Sequence, residues 1–375
     1  MAKRAVLIGC NYPGTEDELE GCVNDVQRVR RCLVELFGFD ERDIEVLIDT
    51  DGSYTQPTGA NICQSVERLV RRAKPGDSLF IHYSGHGLRL PTADGEEDDT
   101  GYDECIVPCD MNLITDNDFR DFVCQVPDGC RLTIVADSCH SGGLIDSSEE
   151  QIGESYYNHK HHETGPAENG DSRRDGGLES KGVRVKKRSL RLSNLIEILK
   201  QKTGREDIVP GNVRSALFDI FGDDASPSIK KSMNKLQHGA RDRDIGCVVG
   251  GLMSVAWSVM KNIFQQKSEE IPELEYEAYS TRAANRRSGG PENGILISGC
   301  QTDQKSVDGH STESGNVTYG ALSDAIQVIL AKNHGKISNR RLVQSARERL
   351  AKQGLRQRPG LYCSDSYADA PFICS

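Results

Sequence analysis

The sequence predicts an α/β fold with a central, mostly parallel β-sheet flanked by helices. Three observations carry that prediction. Apolar runs of strand length alternate with stretches whose apolar residues recur at helical spacing. The runs at 5–10, 78–83 and 131–136 are dominated by apolar residues, as buried strands are. Two of them then break into reactive side chains followed by glycine: His82-Tyr83-Ser84-Gly85-His86-Gly87 and Asp137-Ser138-Cys139-His140-Ser141-Gly142-Gly143. In such sheets, catalytic groups gather beyond the carboxyl ends of the strands, where both stretches fall.

The elements follow in order. Ala5-Val6-Leu7-Ile8-Gly9-Cys10 reads as a buried strand. Residues 18–37 place Leu19, Val23, Val26, Val29, Leu33 and Leu36 at helical spacing and stop at Gly38. Strand 44–49, helix 58–73 and strand 78–83 come next, then a short strand at 104–108, helix 116–125 and strand 131–136. From 147 to 188 polar, charged and glycine residues dominate, and the segment is expected to be disordered. Helical patterning returns at 189–203 and 245–265, separated by a mixed Gly-, Asp- and Lys-rich stretch at 221–245. A second α/β portion has a strand at 294–300, helices at 318–332 and 338–353, and a short strand at 360–363. The expected organisation is a large region over 1–146, a linker region over 147–290, and a smaller region over 291–375 that completes the same fold. There is no repeat of fixed period.

Bulk chemistry narrows the function. With 46 Lys and Arg against 57 Asp and Glu, the net charge is −11. That argues against a general nucleic-acid binder and suits cationic substrates or a divalent cation. No stretch approaches the roughly 20 apolar residues of a membrane span. The N-terminus has no signal-peptide pattern, so a cytosolic or nucleocytoplasmic protein is expected. The 13 cysteines are odd in number, and Cys10, Cys32, Cys63 and Cys300 sit in apolar runs, so most are expected to be reduced. No C-x-x-C pair suggests structural zinc.

The two glycine-terminated strand ends are the chemical signal. A cysteine on a sharp strand-to-loop turn can expose its sulfur beside backbone N–H groups that meet a reacting carbonyl oxygen. A histidine on a neighbouring strand can remove the thiol proton and later protonate the leaving amine. Together they make an acyl-transfer site. His86 precedes Cys139 by 53 residues, close to the separation of about 50 in caspases.

These two blocks resemble the catalytic blocks of the metacaspases, caspase-like cysteine proteases of plants, fungi and protists. The resemblance extends to Gly-Cys-Val-Asn-Asp at 21–25, Asp-Asp-Thr-Gly-Tyr-Asp-Glu at 98–104 and Leu-Ile-Thr-Asp at 113–116. The long insertion is similar to that of plant type II metacaspases, and only 147–188 falls outside the match. The resemblance implies a caspase-like fold with Cys139 as nucleophile and His86 as general acid and base. It places the oxyanion hole at the backbone N–H groups of Gly87 and Cys139. His82 is expected to be structural and His140 to point away from the nucleophile. A monomer acting on protein or peptide substrates, with a role in stress or programmed cell death, is implied as well.

On a strand, Asp137 faces the same side as Cys139, two residues on. The resemblance puts Asp25 and Asp137 in the S1 pocket, with Cys22 and Ser84 on its wall. Two carboxylates converging in a concave site favour a guanidinium or ammonium, so Arg or Lys is expected at P1 rather than Asp.

The run from Asp94 to Glu104 holds seven carboxylates and no base. Such crowding suits Ca²⁺, although the spacing is not that of an EF-hand. By resemblance, calcium activates through Asp98, Asp99, Asp116 and Asp146. Asn117 brings a neutral amide where the family has a carboxylate, which should weaken the site. The resemblance also implies self-cleavage in the linker, where a basic residue lying in the acidic pocket would block substrates until cut. Lys230 and Lys231 are the first candidates, and Arg188, in the 184–188 cluster, is the second.

Two rival readings remain to be separated: a pseudoprotease acting as a scaffold, and an Asn-specific protease of the legumain kind. The intact Cys139 and His86 argue against the first. The second needs a secretory route that the N-terminus does not suggest.

Overall fold

Buried strands in this chain divide their side chains between two faces with a period of two. Leu79, Ile81 and Tyr83 pack into one hydrophobic cluster, while Phe80 packs into a second. Val6 and Ile8 join the first cluster, Ala5 and Leu7 the second. Both faces of the sheet must therefore be covered, and the helices do this. The computed structural model describes residues 1–92, 101–145, 150–153, 186–242, 294–300, 307–310 and 317–373.

Strand β1 (Lys3–Gly9) leads through helix α1 (Cys22–Phe37) to β2 (Ile44–Ile48), and α2 (Gly59–Arg71) leads to β3 (Ser78–Ser84). A small antiparallel sheet follows, made of β4 (Gly87–Pro91), β5 (Tyr102–Ile106) and β6 (Ile114–Thr115). Helix α3 (Asp116–Cys124) then leads to β7 (Arg131–Asp137). Strands β8 (Glu150–Ile152) and β9 (Lys186–Lys187) precede helices α4 (Leu192–Thr203), α5 (Val213–Phe221) and α6 (Pro227–Asp242). The C-terminal part supplies β10 (Gly294–Ser298), β11 (Val307–His310) and β12 (Thr318–Gly320). It continues with α7 (Ala321–Lys332), α8 (Asn339–Lys352), β13 (Gly360–Tyr362) and the short α9 (Asp365–Ala368).

Among the described residues the main sheet has seven strands in the order β2-β1-β3-β7-β10-β13-β8. Its first five strands pair in parallel, and β13 and β8 add antiparallel. The expected largely parallel α/β architecture is what the chain adopts. Helices α2, α3, α4 and α5 cover one face through residues such as Val66, Phe122, Leu199 and Leu217. Helices α1, α7 and α8 cover the other through Leu33, Ile326 and Val343. Register brings the carboxyl ends level, with Gly9 opposite Ser84, Ser84 opposite Asp137, and Ser298 opposite Ala136. That edge is where the reactive stretches emerge.

Some expectations need correcting. Part of the segment read as disordered is ordered: Glu150–Ile152 closes the main sheet beside β13, and Lys186–Lys187 pairs with β11. Backbone pairing supplies there what apolar content does not. Residues 154–185 and the expected helix 245–265 lie outside the described residues. The mixed stretch at 221–245 contains helix α6. The expected helix from 318 starts instead at Ala321, after the short strand β12. Helix α5 and strand β4 had no counterpart in the sequence reading.

Candidate active site

His86 is 3 % exposed and leaves β3 by way of Gly85. Its backbone is held from both sides, because its N–H donates to the Tyr12 hydroxyl at 2.9 Å and its carbonyl accepts from the Tyr83 hydroxyl at 2.7 Å. The Tyr12 ring lies against the imidazole with 4.7 Å between centroids. Nε2 lies 2.7 Å from the Asp17 carbonyl oxygen. A carbonyl has no proton to give, so Nε2 carries the hydrogen in this contact. In the neutral ring Nδ1 is then the basic nitrogen.

Cys139 is buried, two residues beyond the end of β7. The next residue, His140, has a φ of 55°, a left-handed conformation uncommon outside glycine. That turn is secured by the Ser141 hydroxyl, which donates to the Ser138 carbonyl at 3.0 Å. The strand ends approach so closely that a Cβ at Gly87 would overlap the Cys139 backbone, with its carbonyl carbon at 2.8 Å. Glycine at 87 is therefore a demand of space. The approach aims two N–H groups at one point: Gly87 and Cys139 donate to a single carbonyl oxygen at 3.0 and 3.1 Å. A developing oxyanion needs two donors at this separation.

The oxygen in that position belongs to Arg188. Its side chain is 0 % exposed and runs into a pocket lined by carboxylates. Nη2 donates to Asp25 Oδ2 at 2.7 Å. Nη1 donates to the Ser84 hydroxyl at 2.7 Å and to the Asp137 carbonyl at 2.8 Å, with Asp137 Oδ2 at 3.4 Å. Ser84 in turn donates to Asp25 Oδ2. The start of α7 closes the far side: the Gly320 N–H donates to Asp25 at 3.0 Å, and the Ser323 N–H to Asp137 Oδ2 at 2.8 Å. Burial pushes the Asp25 carboxyl up to about 7; the Arg188 guanidinium opposes this and the Asp137 charge reinforces it. Cys22, also buried, opens α1 one turn before Asp25.

The chain on either side of Arg188 is also held. Lys186–Lys187 pairs antiparallel with β11, and the Leu190 N–H donates to the Gly87 carbonyl at 3.0 Å. His140, expected to point away from the nucleophile, has Nε2 3.3 Å from the hydroxyl of Ser189, the residue after Arg188. His82 sits behind the pocket, 3.2 Å from the Ser323 hydroxyl, and burial lowers it to about 4, so it is neutral near pH 7.

The structure thus brings together His86, Gly87, Cys139, Asp25, Ser84, Asp137 and, from the linker, Arg188. Lys230 and Lys231 are not with them. They lie on α6, where the Lys230 N–H is bonded to the Ser226 carbonyl and its ammonium to the Asp223 carbonyl. Of the three basic residues, Arg188 fills the acidic pocket, whereas Lys230 and Lys231 lie within a helix. Asp17, Tyr12, Gly320 and Ser323 went unnoticed, because each acts through its backbone or through a distant fold contact.

Of the expected calcium ligands, Asp98, Asp99 and Asp146 lie outside the described residues. Asp116 is buried and accepts from the Glu104 and Asn117 N–H groups. Its carboxylate suits a hard cation. Asn117 fits less well, because its side-chain oxygen accepts from the Arg120 guanidinium. Asp118 is occupied at the α3–α6 junction, where Ser228 donates to it through both N–H and hydroxyl. Among the described residues no group of three or more His, Cys, Asp or Glu side chains is poised to hold a metal.

Comparison with known proteins gives the same direction. A family model for the metacaspase, peptidase C14 domain matches residues 3–148. Metacaspase-6 of Arabidopsis thaliana is 51 % identical, and Metacaspase-4 of the same plant 47 %, each over the full length of both chains. Metacaspase-9 of that plant is 38 % identical over 98 % of this chain and 96 % of its own. Among solved structures, a protein from Geobacter sulfurreducens superposes with a TM-score of 0.52 at 16 % identity, covering all of both chains. That likeness speaks to the fold alone.

Proposed function

The chain belongs to the metacaspase family and is a cysteine peptidase of the C14 type, and on that premise we propose a calcium-stimulated endopeptidase that cleaves after Arg or Lys and is made as a zymogen. One observation supports the Arg or Lys preference and the zymogen state, while calcium rests on the family resemblance. Arg188 lies in the pocket as a substrate residue would, with its carbonyl oxygen between the Gly87 and Cys139 N–H groups and its guanidinium between Asp25 and Asp137. The linker is both the plug and the first substrate, and the bond to be cut is Arg188–Ser189.

We assign the reaction to the same residues. His86 Nδ1 takes the Cys139 thiol proton while Nε2 stays bonded to Asp17. The thiolate attacks the Arg188 carbonyl carbon, and charge builds on the oxygen facing the two N–H groups. His86 returns the proton to the Ser189 amine, which leaves. Water, deprotonated by His86, then releases the acyl group and restores Cys139. Two buried carboxylates reward a P1 cation and penalise an acid, which supports cleavage after Arg or Lys over caspase-like cleavage after Asp.

Calcium enters through Asp98, Asp99, Asp116 and Asp146, with Asn117 contributing little while it faces Arg120. When bound, the ion would supply positive charge to carboxylate ligands, of which Asp116 is the one among the described residues. The family resemblance supports a cytoplasmic or nuclear setting and a role in stress or programmed cell death. No helix among the described residues is long and apolar enough to cross a membrane.

The test is N-terminal sequencing of the fragments formed when calcium is added to the purified chain. A fragment beginning at Ser189 is expected, and it should vanish in Cys139→Ala. Fragments beginning at Lys231 or Ser232 would replace Arg188 as the plug. Full peptide hydrolysis in excess chelator would remove calcium from the scheme.

A further inference from the structure

Gly320 ends β12 and caps the start of α7, 295 positions from Asp25 along the chain but bonded to it. Its φ of −68° and ψ of 139° are open to any residue. Backbone conformation therefore gives no reason for glycine. Helix energetics give none either, because Ser, Asn or Asp at this cap position would serve at least as well. Space is what forbids a side chain. A Cβ built on Gly320 would lie 2.5 Å from Arg188 Cζ, and closer still to Arg188 Nη1 and Asp137 Oδ2. Those atoms cannot give way. Arg188 and Asp137 are both 0 % exposed in their side chains, and Asp137 Oδ2 is fixed by the Ser323 N–H.

We infer that Gly320 is a specificity-determining residue: the absence of its side chain sets the depth of the S1 pocket, so that a full-length guanidinium reaches Asp25 and Asp137. This rests on the reading that Arg188 occupies the P1 position. It also means that the pocket of the N-terminal strands is finished by the C-terminal part of the chain. A methyl group at 320 would meet a P1 side chain at the level of Arg Cζ. Lysine places its ammonium at that same level and should suffer too. Ornithine, one methylene shorter, ends before it.

The experiment compares peptides with Arg, Lys or ornithine at P1 against the calcium-treated wild-type chain, Gly320→Ala and Gly320→Ser. Wild type should favour Arg and Lys. In both variants kcat/KM for Arg should fall about 100-fold, with the loss mainly in KM and the preference turning toward ornithine. A damaged fold would depress all three peptides alike. An unchanged Arg-to-ornithine ratio overturns the inference while leaving Arg specificity intact. Failure of the wild type to cleave after Arg would instead overturn the parent reading. A second measurement covers poor folding. In a Cys139→Ala background, Gly320→Ala should lower the melting temperature more when Arg188 is present than when it is Arg188→Ala, where only the overlap with Asp137 Oδ2 remains. Equal destabilisation in both, or failure of both to fold, would mean that glycine serves the fold and not the pocket.

Discussion

The catalytic edge and the specificity pocket lie side by side, yet they are built in opposite ways. His86, Gly87 and Cys139 sit at the ends of adjacent parallel strands, and each emerges within three residues of its strand. The pocket is drawn from Asp25 on α1, Ser84 on β3, Asp137 on β7, Arg188 from the linker, and Gly320 and Ser323 at the start of α7. In the proposed scheme catalysis depends on short-range backbone geometry, whereas selectivity depends on buried charges that only the complete fold assembles. The first should fail in kcat and the second in KM.

The largest expected effect tests the catalytic side. Cys139→Ala should lower kcat about 10³-fold or more while leaving peptide affinity near that of wild type. A large loss of affinity would blur the distinction. Next, Asp137→Asn should reduce kcat/KM for Arg peptides by about 100-fold, chiefly through KM, since truncating a buried charge partner costs roughly 2–5 kcal/mol. Loss confined to kcat would instead place Asp137 with the nucleophile.

Removing the plug tests the pocket in the uncut chain. In a Cys139→Ala background, Arg188→Ala should cost about 3–5 kcal/mol of stability by denaturant unfolding, because the buried carboxylates lose their cation. No change would mean that the pocket rewards Arg188 no more than an empty site.

A smaller effect concerns pH. Asp25 is raised from 3.8 to about 7 by burial, so its carboxyl becomes neutral as pH falls through that value. The charge that holds a guanidinium is present above pH about 7 and is lost below it. That value holds with a guanidinium in the pocket and the carboxyl lies higher without one, so KM for Arg peptides should rise, by about tenfold per pH unit at most, as pH falls toward about 7 and level off below it. In Asp25→Asn, KM should stay high and this limb should flatten. The smallest effect belongs to the rim. Lys186 meets Glu20 at 3.2 Å with both side chains about half exposed. Glu20→Ala should therefore change processing by under about 1 kcal/mol, within roughly fivefold.

Much of this was legible without coordinates, because period-two burial and glycine-terminated strands are written in neighbouring residues. The sheet, its helices and the pair of His86 and Cys139 follow from those patterns. The two cysteine- and histidine-bearing blocks also carried the family resemblance. Arg188 was visible only as one basic residue in a polar stretch, and it ranked below Lys230 and Lys231. What separates them is a long-range contact: the segment before Arg188 is extended against β11, while Lys230 and Lys231 lie in a hydrogen-bonded helix.

By itself, then, the sequence determined the α/β class, the cysteine peptidase family, and the carboxylates that line the pocket. These depend on residue type and on spacings of a few residues. Tertiary structure alone decided which linker cation fills the pocket, that His140 touches Ser189, and that Gly320 must lack a side chain. Each of these depends on packing between segments up to 295 residues apart, and no local pattern records which distant backbone will close over a site.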